Sequence, residues 1–349
     1  AQAHDGSLGT AHAYIDAIAK TGADAVKFQT HIAAEESTLS EPWRVRFSQQ
    51  DESRYSYWER MEFSKEQWRG LKAHAESFGL IFLSSPFSIK AVELLTDLKI
   101  TGWKIASGEL GNSMMLESVA ATGLPVILST GMSNTREIDS TVSMFKASNK
   151  QLAIMQCTSA YPTPAEQVGL NVIGDLRKKY DLPVGLSDHS GTIFPSLSAV
   201  TLGASLIEVH VALSKECFGP DISASITTEE LRTLVNGVRF IDKMLSSPVD
   251  KDVWSAENAT LKQTFGRSIV AVQEIQAGQR VTKEAVALKK PARGLPPSYL
   301  PKLIGALALR NIEPGHFLKL QMWRWKYIEN ASLCSNYCSA FLQSRQDGT

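Results

Sequence analysis

Short apolar runs alternate with amphipathic stretches over residues 7–244. The apolar runs are four to five residues long, which is typical of strands whose two faces are both buried in a parallel sheet. Each run is followed by polar residues and then by apolar positions at helical spacing, such as Ala11, Ile15 and Ile18. The pattern therefore predicts alternating strands and helices, with strands at residues 25–28, 80–84, 102–105, 125–128, 152–156, 183–186 and 205–209.

Polar residues stand at the carboxyl end of nearly every predicted strand. An open doubly wound sheet usually concentrates its chemistry at one switch point, whereas a (β/α)₈ TIM barrel gathers functional residues from all its strand ends, so the distribution favours the barrel. About eight helices accompany seven strands, and we expect that the first barrel strand has been lost upstream of Ala1. The strand-end segments are KFQT from Lys27, SSP from Ser84, KIASGE from Lys104, STG from Ser129, QCTSAY from Gln156, SDHS from Ser187 and EVH from Glu208.

The chain divides into a large domain, a linker, a small domain and a tail. Residues 1–245 form the expected barrel, and a polar, aromatic-rich insert at 32–63 either covers the site at the strand ends or is a solvated connection. Residues 246–264 are a polar linker. Residues 265–326 show short strand-like runs separated by turns, which predicts a small β-rich domain, and residues 327–349 fit neither domain.

Composition and charge exclude several classes of protein. Because 36 Lys and Arg residues balance 36 Asp and Glu residues, no net field favours nucleic acid or an anionic membrane, and an anionic ligand needs a local site. No run approaches the roughly 20 apolar residues of a membrane span, and the start AQAHDGSLGT lacks the regions of a signal peptide, so we expect a cytoplasmic protein. The four cysteines form neither a disulfide framework nor a CxxC pair, and Cys157 is interpreted as a reduced core thiol.

Two histidines end the last two predicted strands. Because consecutive barrel strands are neighbours, His189 and His210 can share one divalent cation, with water and substrate oxygens completing its coordination. Either histidine alone would more often be a hydrogen-bonded core residue. The pair, close in sequence to Asp188 and Glu208, favours the metal.

Two lysines end strands that are otherwise apolar. Lys27 and Lys104 need a charged partner there, and neighbouring hydroxyls suggest a cradle for phosphate and carboxylate groups. A structural ion pair with Glu109 or Glu208 is the alternative for one lysine, and a Schiff base is a rival use. The hydroxyl donors are Ser85, Ser107, Ser129, Thr130 and Ser159.

Two carboxylates are candidates for sugar binding or proton transfer. Glu109 lies in the motif that follows Lys104, where it either transfers protons and binds hydroxyls or caps the next helix. Asp221 follows a Gly-Pro pair, where it either binds substrate hydroxyls or forms a turn.

Taken in order, these motifs resemble the N-acetylneuraminate (sialic acid) synthase family. The resemblance rests on VKFQT, FLSSPFS, WKIASGE, VILSTGMS, QCTSAYPTP, GLSDHSG and EVH with FGPD, and it extends from about His4 to Asp221. Residues 265–326 look like the antifreeze-like (SAF) domain that follows the barrel in that family. The resemblance implies a metal-dependent transferase built as a TIM barrel with a SAF domain.

The resemblance implies a role for each matching residue. His189 and His210 would bind a divalent ion, expected to be Mn²⁺ with Mg²⁺ and Co²⁺ as alternatives, and with Lys104 and Glu109 they would form the catalytic set. The phosphoenolpyruvate site would be lined by Lys27, Ser85, Lys104, Ser107, Ser159 and Ser187, and the amino-sugar site by Gln29, Tyr161, Glu109 and Asp221.

The implied reaction condenses two substrates. C3 of phosphoenolpyruvate attacks the aldehyde of an open-chain N-acylated amino sugar, water adds at C2, and phosphate leaves to give a nine-carbon 2-keto acid. Relatives are homodimers in which the SAF domain of one subunit presents an arginine to the partner's barrel, a position that Lys290 or Arg293 would take here. The sequence leaves open whether the sugar is N-acetylmannosamine, its 6-phosphate or a diacetylated dideoxy sugar.

The chain departs from the family pattern at its start. The family's catalytic glutamate precedes an NHNG-like motif, which here is AHDG at residues 3–6, so the sequence does not include that glutamate. Two alternatives stay open: a truncated, non-catalytic homologue that acts as a binding module, and another phosphoenolpyruvate-condensing barrel such as a keto-deoxy sugar acid synthase. The latter usually has a cysteine in its metal shell, and Cys157 is not expected beside His189 and His210.

Overall fold

The computed structural model describes residues 3–148 and 151–325. The described residues form two compact units, divided after Ser247, and each has its own hydrophobic core. The predicted tail at residues 327–349 lies outside the described residues. Within the described ranges, no helix combines the length and the apolar character that crossing a membrane requires.

The first unit is built on a curled parallel sheet whose strands follow one another in sequence order. The predicted α/β architecture is confirmed, and all seven predicted strands are present with small shifts at their ends. Trp103 and Leu128 are fully buried, as the apolar runs predicted. The strands are β1 Ala25–Thr30, β2 Ile81–Pro86, β3 Trp103–Ile105, β4 Val126–Ser129, β5 Leu152–Cys157, β6 Val184–Asp188, β7 Leu206–Ala212 and β8 Ser225–Thr227.

The eighth strand is a finding that the pattern did not predict. β8 pairs with the carboxyl end of β7, from His210 to Ala212, and no pairing joins β1 to β7 or β8 among the described residues. Leu206 is consequently only half-buried, and an apolar groove of about 580 Å³ runs between β1 and β7. The sheet is an open half-barrel over these ranges, and a strand upstream of Ala1 stays a prediction.

Helices alternate with the strands and cover the sheet. Ser7 caps the first helix by accepting a hydrogen bond from the Thr10 amide at 3.2 Å, and capping boxes begin later helices at Ser64 and Thr227. The helices of the first unit are α1 Leu8–Ala19, α2 Ala33–Glu36, α3 Arg54–Met61, α4 Lys65–Ser77, α5 Ile89–Asp97, α6 Ser113–Ala121, α7 Thr135–Ser148, α8 Leu170–Tyr180, α9 Phe194–Thr201 and α10 Thr228–Leu245.

The insert between β1 and β2 has a small core of its own. Tyr57 and Trp58 on α3 are buried, and the Tyr57 ring lies 5.9 Å from the Trp43 ring and 5.1 Å from the Phe47 ring, between centroids. These aromatic contacts hold both ends of the segment around residue 44, so the insert is an ordered part of the first unit.

The second unit is small and β-rich, as predicted. Its sheets are two antiparallel pairs, β9 Ser268–Ala271 with β10 Val286–Lys289, and β11 Leu307–Ala308 with β12 Trp323–Arg324. It also contains the short helix α13 Leu300–Leu303, whose Leu303 belongs to the same hydrophobic core as Leu318.

The predicted polar linker is not extended. Most of it folds as two short helices, α11 Lys251–Glu257 and α12 Ala259–Phe265. Asp250 caps the first of them by accepting from the amides of Asp252 and Val253. A helical residue advances the chain by about 1.5 Å rather than about 3.3 Å, so this segment spans less distance than a fully extended chain of the same length.

Candidate active site

A cavity of about 650 Å³ lies at the carboxyl ends of β1 to β7. The insert also lines it, through Trp43, Arg44 and Trp58 among others, so the insert covers the site rather than forming a solvated connection. The cavity brings together 13 of the predicted site residues: Lys27, Gln29, Ser85, Lys104, Ser107, Glu109, Ser129, Ser159, Tyr161, Ser187, His189, His210 and Asp221.

The two strand-end histidines lie side by side, with the ring centroids of His189 and His210 5.0 Å apart. His189 Nδ1 lies 2.9 Å from the Thr158 carbonyl oxygen. A carbonyl only accepts hydrogen bonds, so Nδ1 carries the hydrogen and, in the neutral ring, Nε2 keeps its lone pair. Burial lowers the pKa of His210 to about 3, which keeps that ring neutral at pH 7. The His210 ring therefore has the form in which imidazole accepts a metal. Burial lowers the pKa of His189 as well, but its contacts with Cys157 and the Thr158 carbonyl outweigh burial and raise that pKa above its ordinary value.

Lys27 and Lys104 both pair with Glu208 on β7. The Glu208 Oε1 atom lies 3.2 Å from Lys104 Nζ and 3.8 Å from Lys27 Nζ. Burial alone would raise the pKa of Glu208, but the two ammonium groups outweigh burial and hold the pKa of this carboxyl well below its usual range. Burial also lowers the pKa of Lys27. The predicted ion-pair alternative thus exists for both lysines, and two cations around one carboxylate leave positive charge for an anionic ligand.

Hydroxyl and amide groups surround the lysines. Lys104 Nζ donates to Ser129 Oγ at 2.5 Å. Ser85 Oγ and Gln29 Oε1 are buried and have no hydrogen-bond partner in the part of the chain that the structure describes. Buried polar atoms are nearly always paired in native proteins, so two orphaned atoms that line one cavity point to a ligand that satisfies them.

Thr130 lies outside the cavity, which corrects its prediction as a ligand residue. Its buried hydroxyl donates to the Met155 carbonyl at 3.0 Å. Successive residues of an extended chain point to opposite sides, so when Ser129 faces the cavity, Thr130 faces β5. Thr130 therefore supports the sheet.

Glu109 and Asp221 lie on loops at the rim of the cavity. Glu109 accepts a hydrogen bond from Asn112 Nδ2 at 3.0 Å, and burial raises the pKa of its carboxyl. Asp221 Oδ2 lies 3.7 Å from His210 Nδ1. Both carboxylates line the cavity and can accept hydrogen bonds from a hydroxyl-rich ligand, and Asp221 does so beside His210.

Arg44 of the insert closes over this rim. Its Nη2 atom donates to Asp221 Oδ1 at 2.8 Å and to the Pro220 carbonyl at 3.0 Å. Its guanidinium carbon lies 4.4 Å from the centre of the Tyr161 ring, and that ring stacks on His189 with centroids 4.3 Å apart. Arg44 thus contacts Asp221, which lies beside His210, and Tyr161, which stacks on His189.

Cys157 lies beside the imidazole pair, and the prediction that it does not was wrong. Its Sγ atom is 3.9 Å from His189 Nδ1 and 3.5 Å from Ser107 Oγ. Burial raises the pKa of the thiol, but His189, Ser107 and Lys104 together lower it by more, so the pKa lies below its ordinary value. The thiol is buried and free of a disulfide, as expected for a reduced core cysteine.

Glu208, Cys157 and Arg44 line the cavity, although the sequence assigned none of them a catalytic or ligand-binding role. Glu208 was predicted only as an ion-pair alternative and a neighbour of the metal candidates, yet it stands two positions before His210, and side chains two apart in a strand share a face. Cys157 ends β5 in the same way. Arg44 carried no strand-end signal, because it lies in the insert. Two further predicted residues, Lys290 and Arg293, belong to the second unit and their role stays a prediction.

These features define a class of protein: a TIM-barrel-like α/β protein whose polar cavity, at the carboxyl ends of the strands, combines an imidazole pair with paired lysines. The NeuB family profile matches residues 14–250, and the SAF domain profile matches residues 266–322. The chain belongs to the NeuB family and carries a SAF domain. The predicted resemblance is therefore confirmed.

Similar proteins cover most of the chain. An uncharacterized protein from Methanocaldococcus jannaschii is 36% identical, over 85% of this chain and 85% of its own length. The N,N'-diacetyllegionaminic acid synthase of Campylobacter jejuni is 32% identical, over 90% of this chain and 96% of its own length. The crystal structure of an N-acetylneuraminic acid (sialic acid) synthetase from Leptospira borgpetersenii, in complex with citrate, superposes with a TM-score of 0.65 at 31% identity, over 75% of this chain and 88% of that one.

Proposed function

We propose that the protein condenses phosphoenolpyruvate with an N-acylated amino sugar to give a sialic acid-type 2-keto acid and phosphate. One observation carries the proposal: paired lysines and an imidazole pair meet in a single cavity around Glu208 and His210, on one face of β7. This arrangement supplies an anion site beside a site for an electrophile, which is what joining an enol phosphate to an aldehyde requires. The named relatives support the same class of transferase.

The strand ends would hold phosphoenolpyruvate. The Lys27 and Lys104 ammonium groups would neutralise its phosphate and carboxylate, and the orphaned Ser85 hydroxyl would gain a hydrogen-bond acceptor. The charge excess around Glu208 is already present without a ligand, so this part of the cavity is preorganised for an anion.

The imidazole pair would hold a divalent cation, Mn²⁺ in our proposal. The described residues contain no cluster of three or more His, Cys, Asp and Glu that could hold a metal, so His189 and His210 would supply two ligands, with water and substrate oxygens supplying the rest. The fit is supported by the His189 hydrogen bond to Thr158, because metal-bound histidines usually donate their other ring N–H to such an acceptor. The ion would act as a Lewis acid toward the sugar's carbonyl oxygen.

The rim would orient the sugar. Glu109, Asp221 and Gln29 would bind its hydroxyl groups, while Tyr161 and Arg44 would exclude water over the imidazole pair. A bond then forms between C3 of phosphoenolpyruvate and the aldehyde carbon, water adds at C2, and the bond between C2 and the phosphate oxygen breaks. The raised pKa of Glu109 suits this residue to carry a proton to the aldehyde oxygen as that oxygen becomes a hydroxyl.

Isotope labelling tests the reaction class. With ¹⁸O in the bridging position of phosphoenolpyruvate, N-acetylmannosamine and Mn²⁺, the account predicts that the released inorganic phosphate carries the label, because the C2–O bond breaks. Phosphate without the label would indicate phosphorus–oxygen cleavage and contradict the proposal. The label is read by mass spectrometry of the phosphate.

A keto-deoxy sugar acid synthase is the second candidate, and Cys157 favours it. Such enzymes usually include a cysteine in the metal shell, and the Cys157 sulfur lies 3.9 Å from His189. An aldose phosphate without an N-acyl group would then be the better co-substrate. The NeuB family match over residues 14–250 is the reason the amino sugar is proposed first.

A further inference from the structure

The elements around the cavity carry charge of opposite sign. The strands contribute Lys27 and Lys104 against one carboxylate, Glu208. Among the described residues, and apart from the histidines, the insert and the loops line the cavity with five carboxylates and two arginines. The five carboxylates are Glu35, Glu36, Glu41, Glu109 and Asp221, and the two arginines are Arg44 and Arg54.

Both arginines on this side are already paired. The Arg44 Nη2 atom lies 2.8 Å from Asp221 Oδ1 and donates to the Pro220 carbonyl. The Arg54 Nε atom lies 3.0 Å from Glu41 Oε1. A second phosphate could use either arginine only by displacing the carboxylate that the arginine holds, and the displaced carboxylate would then repel the phosphate.

The remaining carboxylates are Glu35, Glu36 and Glu109. Glu36 Oε1 lies 2.6 Å from His31 Nδ1, and Glu109 accepts a hydrogen bond from Asn112 Nδ2 at 3.0 Å. Glu35 is exposed on the same short helix as Glu36. Groups of this kind accept hydrogen bonds from neutral hydroxyls and oppose a phosphate, which carries a charge of about −1.5 to −2 at pH 7.

We propose that the sugar substrate is unphosphorylated and uncharged, and that the acidic insert discriminates against sugar phosphates. The inference rests on the proposed function, because the lysine-rich strand ends must be occupied by phosphoenolpyruvate for the acidic side to receive the sugar. Phosphoenolpyruvate then adds its own negative charge to the cavity. The site thus presents one place for an anion and one for a neutral polyol.

Equilibrium binding tests the inference without requiring turnover. Isothermal titration compares N-acetylmannosamine with N-acetylmannosamine 6-phosphate, on the full chain with saturating phosphoenolpyruvate and EDTA so that no divalent ion supports reaction. Phosphoenolpyruvate fills the lysine site and prevents the sugar phosphate from binding there. We expect the neutral sugar to bind at least about tenfold more tightly, since like-charge juxtaposition in a binding site is costly.

A charge-reversal variant provides the matched comparison. Glu35→Lys should reduce the preference for the neutral sugar by about tenfold, whereas Glu52→Lys, an exposed residue of the same insert that does not line the cavity, should leave the preference unchanged. The inference would be overturned if the 6-phosphate bound as tightly as the neutral sugar or more tightly, or if neither sugar bound. It would also be overturned if Glu35→Lys left the preference unchanged. If phosphoenolpyruvate itself does not bind, the proposed function fails and this inference fails with it.

Discussion

Glu208 connects the two chemical halves of the site at the scale of single residues. It accepts both lysine contacts on one side and stands two positions from His210 on the same strand face. Its carboxylate makes two buried ammonium groups tolerable without cancelling their charge. The sequence places Glu208 two positions before the predicted metal ligand His210. Only the structure shows that Lys27 and Lys104 both pair with it.

Replacing Lys27 with Met should weaken phosphoenolpyruvate binding selectively. The change removes one of two cations while Lys104 still pairs with Glu208, so the KM for phosphoenolpyruvate should rise at least tenfold, since charge-assisted hydrogen bonds contribute about 1.5–3 kcal/mol. The KM for the sugar should change little. Steady-state kinetics with each substrate varied in turn measures both, and Lys20→Met, an exposed lysine outside the cavity, is the control. Equal effects on the two substrates would count against the anion site.

Replacing Glu208 with Gln should destabilise the fold and change its acid sensitivity. Breaking a buried ion pair costs about 3–5 kcal/mol, because the lysines lose their counter-charge. The pKa of Glu208 is lowered in the folded state, so its stabilisation is fully present above the unfolded value of about 4.3 and is lost as the pH falls below it.

Urea unfolding at pH 7 and near pH 3.5 measures this effect. The stability gap between wild type and Glu208→Gln should be largest at pH 7 and should narrow at the lower pH. Glu93→Gln, which removes an exposed pair with Lys90, should show a small gap at both values. A gap for Glu208→Gln that is independent of pH would mean that the carboxylate is not held in its charged form by the lysines.

At the scale of elements, strand ends were predictable and the insert was not. Apolar runs identify β1 to β7 because strands inside the sheet, such as β3 and β6, are buried on both faces, whereas β1 and β7 border the groove and are partly buried. The polar residue that follows each run then lies at the carboxyl end of the sheet. β8 has three residues and no apolar run, so the same signal fails. Arg44 reaches the site because the rings of Trp43, Phe47 and Tyr57 pack together, a tertiary arrangement that local periodicity cannot reveal.

Replacing Arg44 with Ala should affect the sugar rather than phosphoenolpyruvate. The variant loses the contact with Asp221 and the cover over Tyr161, so the KM for the sugar should rise about tenfold, equivalent to roughly 1.4 kcal/mol. Arg46→Ala, an exposed arginine two residues away that does not line the cavity, serves as the control in the same kinetic assay. A larger effect on phosphoenolpyruvate than on the sugar would contradict the position that we propose for the insert.

At the scale of the whole molecule, we propose a homodimer in which the SAF domain of each chain closes the partner's cavity. The SAF profile ends at residue 322, and the small domain has a compact core of its own. A domain of about 60 residues is nevertheless near the lower size limit for independent folding, so docking on another surface would stabilise it. In the dimer, Lys290 or Arg293 would approach Glu109 and Asp221 of the other chain. Since Asp221 already pairs with Arg44, Glu109 would be the carboxylate still available to a second cation.

Subunit mixing tests this arrangement. A barrel variant, His189→Ala, and a lid variant, Lys290→Ala with Arg293→Ala, should each be nearly inactive alone. After subunit exchange, the mixture should recover activity, because one heterodimer cavity then combines an intact barrel with an intact lid. Exchange is followed independently with two affinity tags. Exchange without recovery would show that each SAF domain serves its own barrel.

Phosphate release is the measurement that tests the central claim most directly. The purified chain is incubated with phosphoenolpyruvate and Mn²⁺, with and without each of several N-acylated hexosamines and aldose phosphates, and inorganic phosphate and 2-keto acid are measured together. The account predicts equal amounts of both products, formed only when an N-acylated amino sugar and a divalent ion are present, and abolished in His210→Ala. The account would be contradicted if phosphate were released without a sugar, or only with an aldose phosphate. It would also be contradicted if phosphoenolpyruvate bound but no sugar led to phosphate release.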